Sequence, residues 1–138
     1  MEISYQVCDD PNFIWELHTS YFKENNDSFL FNLKTKPYYK IFTATQKGVL
    51  IAYCIITEIA GEAEIINIAT KMEFTNLGIA KSLLKFVINS TWCNSLFLEV
   101  SDNNLPAIKL YQSCGFTKIG LRKNYYGDSD AILMEFQK

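Results

Sequence analysis

The stretch that decides the fold of this chain begins with Asn67-Ile-Ala-Thr-Lys-Met-Glu-Phe-Thr-Asn-Leu-Gly-Ile-Ala-Lys-Ser-Leu-Leu and resumes with Leu96-Phe-Leu-Glu-Val-Ser-Asp-Asn-Asn-Leu-Pro-Ala-Ile-Lys-Leu-Tyr-Gln-Ser-Cys-Gly-Phe. Its pattern predicts a strand, a tight turn, an amphipathic helix, a second strand and a short helix that ends at a glycine. A strand that follows a helix in this way is expected to lie parallel to the strand before it. This order places a helix N-terminus beside a sheet, and helix N-termini bind phosphate groups.

Apolar patterns along the whole chain predict the remaining elements. Alternating or continuous apolar runs predict strands at 3–7, 39–45, 49–60, 62–70, 95–100, 117–121 and 131–136. Helical spacing predicts helices at 11–22, in a short segment capped within 25–28 and reaching residue 33, from residue 78 onward, and at 106–112. We therefore predict one α/β domain over residues 1–138. It is of the mixed α+β type, with a mostly antiparallel sheet of about seven strands flanked by about four helices.

Composition narrows the class of protein. The 138 residues carry a net charge of −2 and 49% hydrophobic residues, which is typical of a soluble globular protein and disfavours direct nucleic-acid binding. No signal-peptide pattern and no apolar run of roughly 20 residues is present, so we expect a cytoplasmic protein without membrane contact. The four cysteines form no C-x-x-C pair, which predicts reduced thiols. His18 is the only histidine, which disfavours a histidine-based triad or metal site.

The turn Thr75-Asn76-Leu77-Gly78-Ile79-Ala80 is the first candidate binding site. A helix N-terminus leaves main-chain N–H groups unpaired and carries partial positive charge, and Gly78 and Ala80 would let a diphosphate come close to the backbone. By itself this signal is weak, because most turns of this kind only connect a strand to a helix.

Glu99 and the helix after it form the second candidate. Glu99 interrupts an apolar strand near its C-terminal end, where ligands of parallel sheets usually sit, although a solvent-facing glutamate fits the alternation equally well. Asn104, Ala107 and Tyr111 share one face of the next helix and could lie along an extended ligand. Alternatively, Asn103 or Asn104 caps the helix and Tyr111 packs into the core, and capping is compatible with both interpretations.

Several motifs occur together in a characteristic order. They are Asn67-Ile68-Ala69, Gly78-Ile79-Ala80, Leu98-Glu99-Val100, Asn104, Ala107-Ile108, Leu110-Tyr111, Gly115-Phe116, Arg122, Asn124-Tyr125-Tyr126 and Asp130-Ala131. With them the chain resembles the GNAT superfamily of N-acetyltransferases, and within it the RimI-like ribosomal-protein-alanine N-acetyltransferases. The resemblance is densest between residues 62 and 136.

This resemblance implies the GNAT fold, with a splayed pair of parallel strands, and acetyl-CoA as the acetyl donor. It implies Glu99 as general base and Tyr111 as general acid in a direct transfer to a primary amine. The cofactor-binding positions that it implies comprise a strand edge for the pantetheine arm, a cradle for the pyrophosphate and one hydrogen-bonding amide. They are Ile68, Ala69 and Thr70 for the edge, Asn76, Leu77, Gly78, Ile79, Ala80 and Lys81 for the cradle, and Asn104 for the amide.

Elementary acid–base chemistry agrees with these roles. A terminal amine has an ordinary pKa of about 8, so a carboxylate can take its proton directly or through water. A tyrosine with an ordinary pKa of about 10 stays protonated and can supply a proton to a departing thiolate. Cys114, one turn after Tyr111, is a weaker alternative nucleophile, because no histidine can be placed beside it from the sequence.

The chain departs from the family at positions that bear on both substrates. Members usually carry Gln or Arg where this chain has Thr75, and often arginine at the next two positions, where Lys81 could compensate. The RimI-like Phe-Pro-Trp signature has no match, and residues 25–32 occupy its place. Glu62 and Glu64 could anchor an acceptor ammonium, although exposed strand residues are the simpler interpretation.

The sequence therefore leaves alternatives for the acceptor substrate and for the oligomeric state. The main hypothesis is acetylation of a protein N-terminal amine, with a ribosomal protein as the candidate acceptor. The alternatives are a small amine such as an amino sugar, polyamine or amino acid, and a non-catalytic acyl-CoA-binding sensor. The pattern allows a monomer or a homodimer.

Overall fold

A computed structural model describes residues 2–22 and 27–138, which form one twisted sheet with helices on both faces. The strands are β1 (Ser4–Cys8), β2 (Tyr39–Gln46), β3 (Val49–Ile59), β4 (Glu62–Thr70), β5 (Ser95–Ser101), β6 (Thr117–Arg122) and β7 (Ala131–Gln137). The helices are α1 (Asn12–Tyr21), α2 (Asp27–Thr35), α3 (Ile79–Ser90) and α4 (Leu105–Ser113), with a 3₁₀ turn at Met72–Phe74. The predicted mixed fold is confirmed. The proposed cap at Asn25 and Asn26 lies outside the described residues.

Two tight hairpins explain the antiparallel half of the sheet. The strand order is β1-β2-β3-β4-β5-β7-β6, and β1 to β4 form an antiparallel meander. The two-residue turns Lys47-Gly48 and Ala60-Gly61 both have positive φ at each residue, which is the conformation that matches the twist of adjacent strands. Short turns of this kind leave no freedom for another strand order.

The parallel pair is short and then diverges. Strand β4 pairs with β5 only from Glu62 opposite Ser95 to Glu64 opposite Phe97. Beyond that point β4 carries a bulge at Ile66, because Ile65 and Asn67 pair with consecutive residues of β3. A bulge bends and twists its strand. The C-terminal halves of β4 and β5 are therefore splayed apart, as the resemblance implied.

The two faces of the sheet carry separate cores. Helices α3 and α4 pack on one face, where the apolar stripe of α3 meets residues such as Leu96, Leu98 and Met134. Helices α1 and α2 pack on the other face, over a cluster that includes Ile55 and Ala69. No helix within residues 2–22 and 27–138 is long and apolar enough to cross a membrane.

Candidate active site

A groove of about 430 Å³ runs between the splayed end of β4 and the N-terminal turns of α3 and α4. It is lined by all of the predicted site residues except Leu77 and Glu99. Those residues are Ile68, Ala69, Thr70, Asn76, Gly78, Ile79, Ala80, Lys81, Asn104 and Tyr111. Ile68 and Ala69 are adjacent on β4 and pack in the cores of opposite faces. Because both line the groove, it runs along the open edge of β4 and reaches both faces of the sheet.

The loop that starts α3 faces this groove with main-chain N–H groups that have no acceptor within residues 2–22 and 27–138. Asn76 and Gly78 are both left-handed, with φ of 62° and 79°, and the N-cap Gly78 supplies no side-chain cap. Successive N–H groups in alternating left- and right-handed residues form a concave anion site. A Cβ at Gly78 would meet no atom within 4 Å, so the space above the loop is open. Lys81, in the first turn of α3, adds a cation to the lining.

The open edge of β4 offers main-chain groups to an extended ligand. The Lys71 N–H donates to the Ile51 carbonyl of β3 at 2.8 Å. Since main-chain groups along a strand alternate in direction, the polar groups of Ile68 and Thr70 point away from β3. The Tyr21 hydroxyl of α1 donates to the Thr70 carbonyl at 2.5 Å, which agrees with this direction. The N–H and carbonyl of Ile68 therefore face the gap and can pair with the amides of an extended molecule.

Asn104 has a structural role that is compatible with a binding role. Its side-chain oxygen accepts the Ala107 N–H at 3.2 Å and caps α4, with Pro106 in the first turn where no N–H is needed. Capping was one of the two predicted interpretations, and it is confirmed. The amide NH₂ of Asn104 is left to donate, and Asn104 itself borders the groove.

Tyr111 is held by the end of its own helix. The Phe116 N–H donates to the Tyr111 carbonyl, and the Gly115 N–H donates to the Gln112 carbonyl, both at 3.0 Å. These two bonds form a Schellman motif around Gly115, whose φ is 99°. The Tyr111 ring packs edge-on against Phe116, with 5.9 Å between centroids. The side chain is thus both packed in the core and part of the groove lining.

The environment keeps the Tyr111 hydroxyl protonated. Tyr111 is only 8% exposed, and burial raises its pKa well above the ordinary value, with smaller contributions from Cys54 and Tyr126. Removing a phenol from water disfavours its charged form. Tyr111 can therefore donate a proton at neutral pH.

Glu99 lies outside the groove lining, on the other face of the sheet. Its neighbours Leu98 and Val100 pack under α3, so the alternation of β5 turns Glu99 to the opposite side. Its side chain is 29% exposed, and its carboxylate lies 3.3 Å from the guanidinium of Arg122 on β6. Glu99 therefore follows the predicted alternation to the face away from α3, where it is half-buried and ion-paired.

Tyr126, in the connection between β6 and β7, lies near both candidate catalytic residues. Its pKa is raised by burial and then by the charge of Glu99, and it contributes in turn to the raised pKa of Tyr111. Glu99 and Tyr111 thus approach one region of the molecule from two faces of the sheet.

The structure also separates residues that the sequence had grouped. Leu77 is 55% exposed and borders a different hollow together with Ile3 and Tyr5. Cys114 packs in the core under α3. His18 is buried on the other face, with Nδ1 2.7 Å from the Tyr53 hydroxyl. His18, the only histidine in the sequence, therefore does not lie beside Cys114.

Some lining residues had no predicted role. Tyr21, Phe22, Phe74, Pro106 and Leu110 also border the groove. Tyr21 and Phe22 carry only a helical apolar pattern in the sequence, because their position depends on how α1 crosses the end of β4. Arg122 is one of the family-motif residues in the sequence, but the motif did not predict its ion pair with Glu99.

Comparisons with known proteins agree with this geometry. Residues 6–116 match the acetyltransferase (GNAT) family model. The chain is 36% identical over 103 residues to [ribosomal protein bS18]-alanine N-acetyltransferase from Escherichia coli K12, covering 70% of each chain. The crystal structure of the ribosomal-protein-S18-alanine N-acetyltransferase from Escherichia coli superposes with a TM-score of 0.85 at 27% identity, covering 99% of this chain and 94% of that one.

A more distant structure shares the fold alone. An acetyltransferase from Bacillus subtilis, solved in complex with CoA, matches with a TM-score of 0.81 at 16% identity over 99% of both chains. With a family model that spans most of the sequence and a fold that extends over nearly all of it, this chain belongs to the GNAT family and is an acetyl-CoA-dependent N-acetyltransferase.

Proposed function

We propose that this chain acetylates the α-amine of a protein N-terminus in the cytoplasm, with an alanine-starting ribosomal protein as acceptor. The acceptor class comes from relatives whose names specify the alanine of ribosomal protein bS18. One observation of this chain carries the proposal. The groove that begins at the uncapped start of α3 runs along the open edge of β4, with Tyr111 in its lining and Glu99 on the opposite face of the sheet.

The residues of the groove fit acetyl-CoA along its length. The N–H groups around Gly78, with Lys81 beside them, would hold the pyrophosphate. The main chain of Ile68 would pair with the pantetheine amides, and the Asn104 amide would donate to the same arm. When bound, acetyl-CoA supplies the activated acetyl group. Leu77 would contribute main-chain atoms only, since its side chain lies outside the groove.

The two candidate catalytic residues would act from opposite sides of the reacting bond. Glu99, on the open face, would take the proton from the acceptor amine directly or through a water molecule. Arg122 would hold the Glu99 carboxylate in place through the 3.3 Å ion pair. Tyr111, on the face of α4, would supply a proton to the departing thiolate, which its raised pKa allows. No covalent enzyme intermediate is required.

An acceptor panel tests the proposal. Purified protein is supplied with acetyl-CoA and either an alanine-starting peptide or free small amines, including an amino sugar, a polyamine and amino acids. We expect the peptide to be acetylated with a higher kcat/KM than any free amine. Turnover of small amines alone would contradict the peptide acceptor and identify a small amine as the substrate. Acetyl-CoA binding without turnover of any acceptor would favour a sensor.

A further inference from the structure

One half of the sheet face that carries Glu99 is accessible. Helices α1 and α2 pack on this face over β2, β3 and the Ala69 end of β4. On this face, the side chains of β5, β7 and the start of β4 are exposed or half-buried. They are Glu62, Glu64, Phe97, Glu99, Leu133 and Glu135. The assignment follows from alternation, since Ala63, Leu96 and Met134 pack in the core of the opposite face.

Three of these residues form a row across adjacent strands. Glu64 lies directly opposite Phe97, and Phe97 lies directly opposite Glu135. Side chains that face each other across a strand pair lie about 5 Å apart at Cβ. A half-buried phenyl ring is thus flanked by a carboxylate on each side. We name this row, Glu64, Phe97 and Glu135, the Phe97 strip.

The charges of the Phe97 strip are not compensated internally. The ion pairs within the described residues join Lys40 to Glu58 and Arg122 to Glu99, so neither Glu64 nor Glu135 has a cationic partner there. Glu135 accepts only the Gln137 amide, at 2.8 Å. A ring between two carboxylates that have no cationic partner within the described residues suits a long cationic side chain. Its methylene stem would pack on the ring while its head reaches the carboxylates.

The strip is continuous with the candidate active site. Phe97 precedes Glu99 by two residues on the same face of β5, which is about 7 Å along a strand. If an acceptor amine lies at Glu99 and its chain extends over β5, the second or third residue of the acceptor comes over Phe97. Another copy of the same face is a poor occupant, because it would set carboxylates against carboxylates.

We propose that the Phe97 strip binds a lysine or arginine side chain at the second or third position of the acceptor peptide. This inference rests on the proposed acetylation of a protein N-terminus and specifies its substrate class. The acceptor would be a basic N-terminal segment rather than any peptide that starts with alanine.

Matched peptides test the inference. Three alanine-starting peptides, identical except for lysine, glutamine or glutamate at the second and third positions, are compared by kcat/KM. The proteins are the wild type, Glu64→Gln, Glu135→Gln, the double variant and Glu64→Lys. Glu2→Gln is the control, because Glu2 is an exposed carboxylate before β1, at the far edge of the sheet. Glutamine has nearly the same size and shape as glutamate, so we expect these variants to fold as the wild type does.

We expect the wild type to prefer the lysine peptide to the glutamine peptide by about ten-fold. Each single Gln variant should lose about three-fold of that preference, which lies within the range of exposed charge pairs. The double variant should lose it fully, and raised salt should weaken it in the wild type. Glu64→Lys should favour the glutamate peptide, and Glu2→Gln should behave as the wild type.

The glutamine peptide separates the two hypotheses. If every variant acetylates it as the wild type does, N-terminal acetylation stands whatever happens to the charge preference. A lysine preference that survives in the double variant would overturn the Phe97 strip alone. If no peptide is acetylated while a small amine is, the strip and the peptide acceptor are both overturned.

Discussion

Glu99 and Tyr111 lie on opposite faces of the sheet, Tyr111 in the core under α3 and Glu99 on the face beyond it. Transfer of an acetyl group to an amine needs a base where the amine enters and an acid where the thiolate leaves. In the proposed reaction, the splay of β4 and β5 lets Tyr111 and Glu99 act on one bound substrate from the two faces of the sheet.

Substitution of either residue should separate binding from turnover. We expect Tyr111→Phe and Glu99→Gln each to lower kcat by about 10²- to 10⁴-fold, the usual contribution of general acid–base catalysis. Neither change removes a main-chain donor of the groove, so acetyl-CoA should still raise the melting temperature as it does in the wild type. Steady-state kinetics and thermal melts measure the two effects.

Tyr38→Phe is a suitable control, since the Tyr38 ring is exposed, lies just before β2 and does not line the groove. Near-normal kcat in both Tyr111→Phe and Glu99→Gln, or unchanged cellular function, would contradict the catalytic roles and favour a sensor.

Among the elements, the start of α3 carries the binding hypothesis. Gly78 and Gly48 share a φ of 79°, and at both positions a Cβ would meet open space. Leucine at either site therefore meets the same backbone strain, about 1–2 kcal/mol. Only Gly78 borders the groove. We expect Gly78→Leu to abolish the increase in melting temperature with acetyl-CoA, and Gly48→Leu to retain it after a similar loss of stability.

Thermal melts with and without acetyl-CoA provide the measurement. A full increase in Gly78→Leu would show that the cofactor binds elsewhere.

The β3–β4 hairpin contains a strained backbone position, Ala60, whose strain a substitution can relieve. Ala60 has a φ of 53°, a conformation that costs alanine more than asparagine. Ala60→Asn should raise the free energy of unfolding by about 0.5–1 kcal/mol. Urea denaturation should show a higher midpoint with an unchanged slope. Lys47→Asn, at the same place in the β2–β3 hairpin with a φ of 50°, should change stability in the same direction. A lower midpoint in both variants would contradict this account.

Across the whole molecule, buried acids predict sensitivity to alkali. Burial raises the pKa of Tyr53 and Tyr111 far above the ordinary value and that of Cys54 to about 12. Above about pH 10 the unfolded chain loses these protons while the native protein keeps them. Because the native state then binds more protons, stability falls as pH rises, by about 1.4 kcal/mol per pH unit for each group.

Urea unfolding at pH 8, 10 and 11 checks this dependence. Tyr111→Phe should remove one group's share of the loss between pH 10 and 11 while leaving stability at pH 8 nearly unchanged. An identical alkaline slope in the wild type and the variant would show that Tyr111 does not carry a raised pKa.

Local rules account for the elements and for the family. Asn104 with Pro106, Gly115 after α4, and the two-residue turn at Gly48 are signals that act within a few residues, so pattern and turn chemistry predict those elements directly. The motifs from Asn67 to Ala131 were sufficient to indicate the family, because they preserve local backbone geometry. The predicted ends of helices and strands differ from the observed ends by one or two residues, because element ends depend on packing.

Long-range pairing decided the rest. The register between β4, β5 and β7 places Glu64, Phe97 and Glu135 in one row. The presence of Tyr21 in the groove lining and the position of Leu77 outside it likewise depend on how distant elements pack. By itself the sequence determined the order of elements, the family and the chemical types available to the site. Only the tertiary structure decided which face each side chain meets, because alternation along a strand fixes relative orientation, whereas absolute orientation is set by what the whole sheet buries.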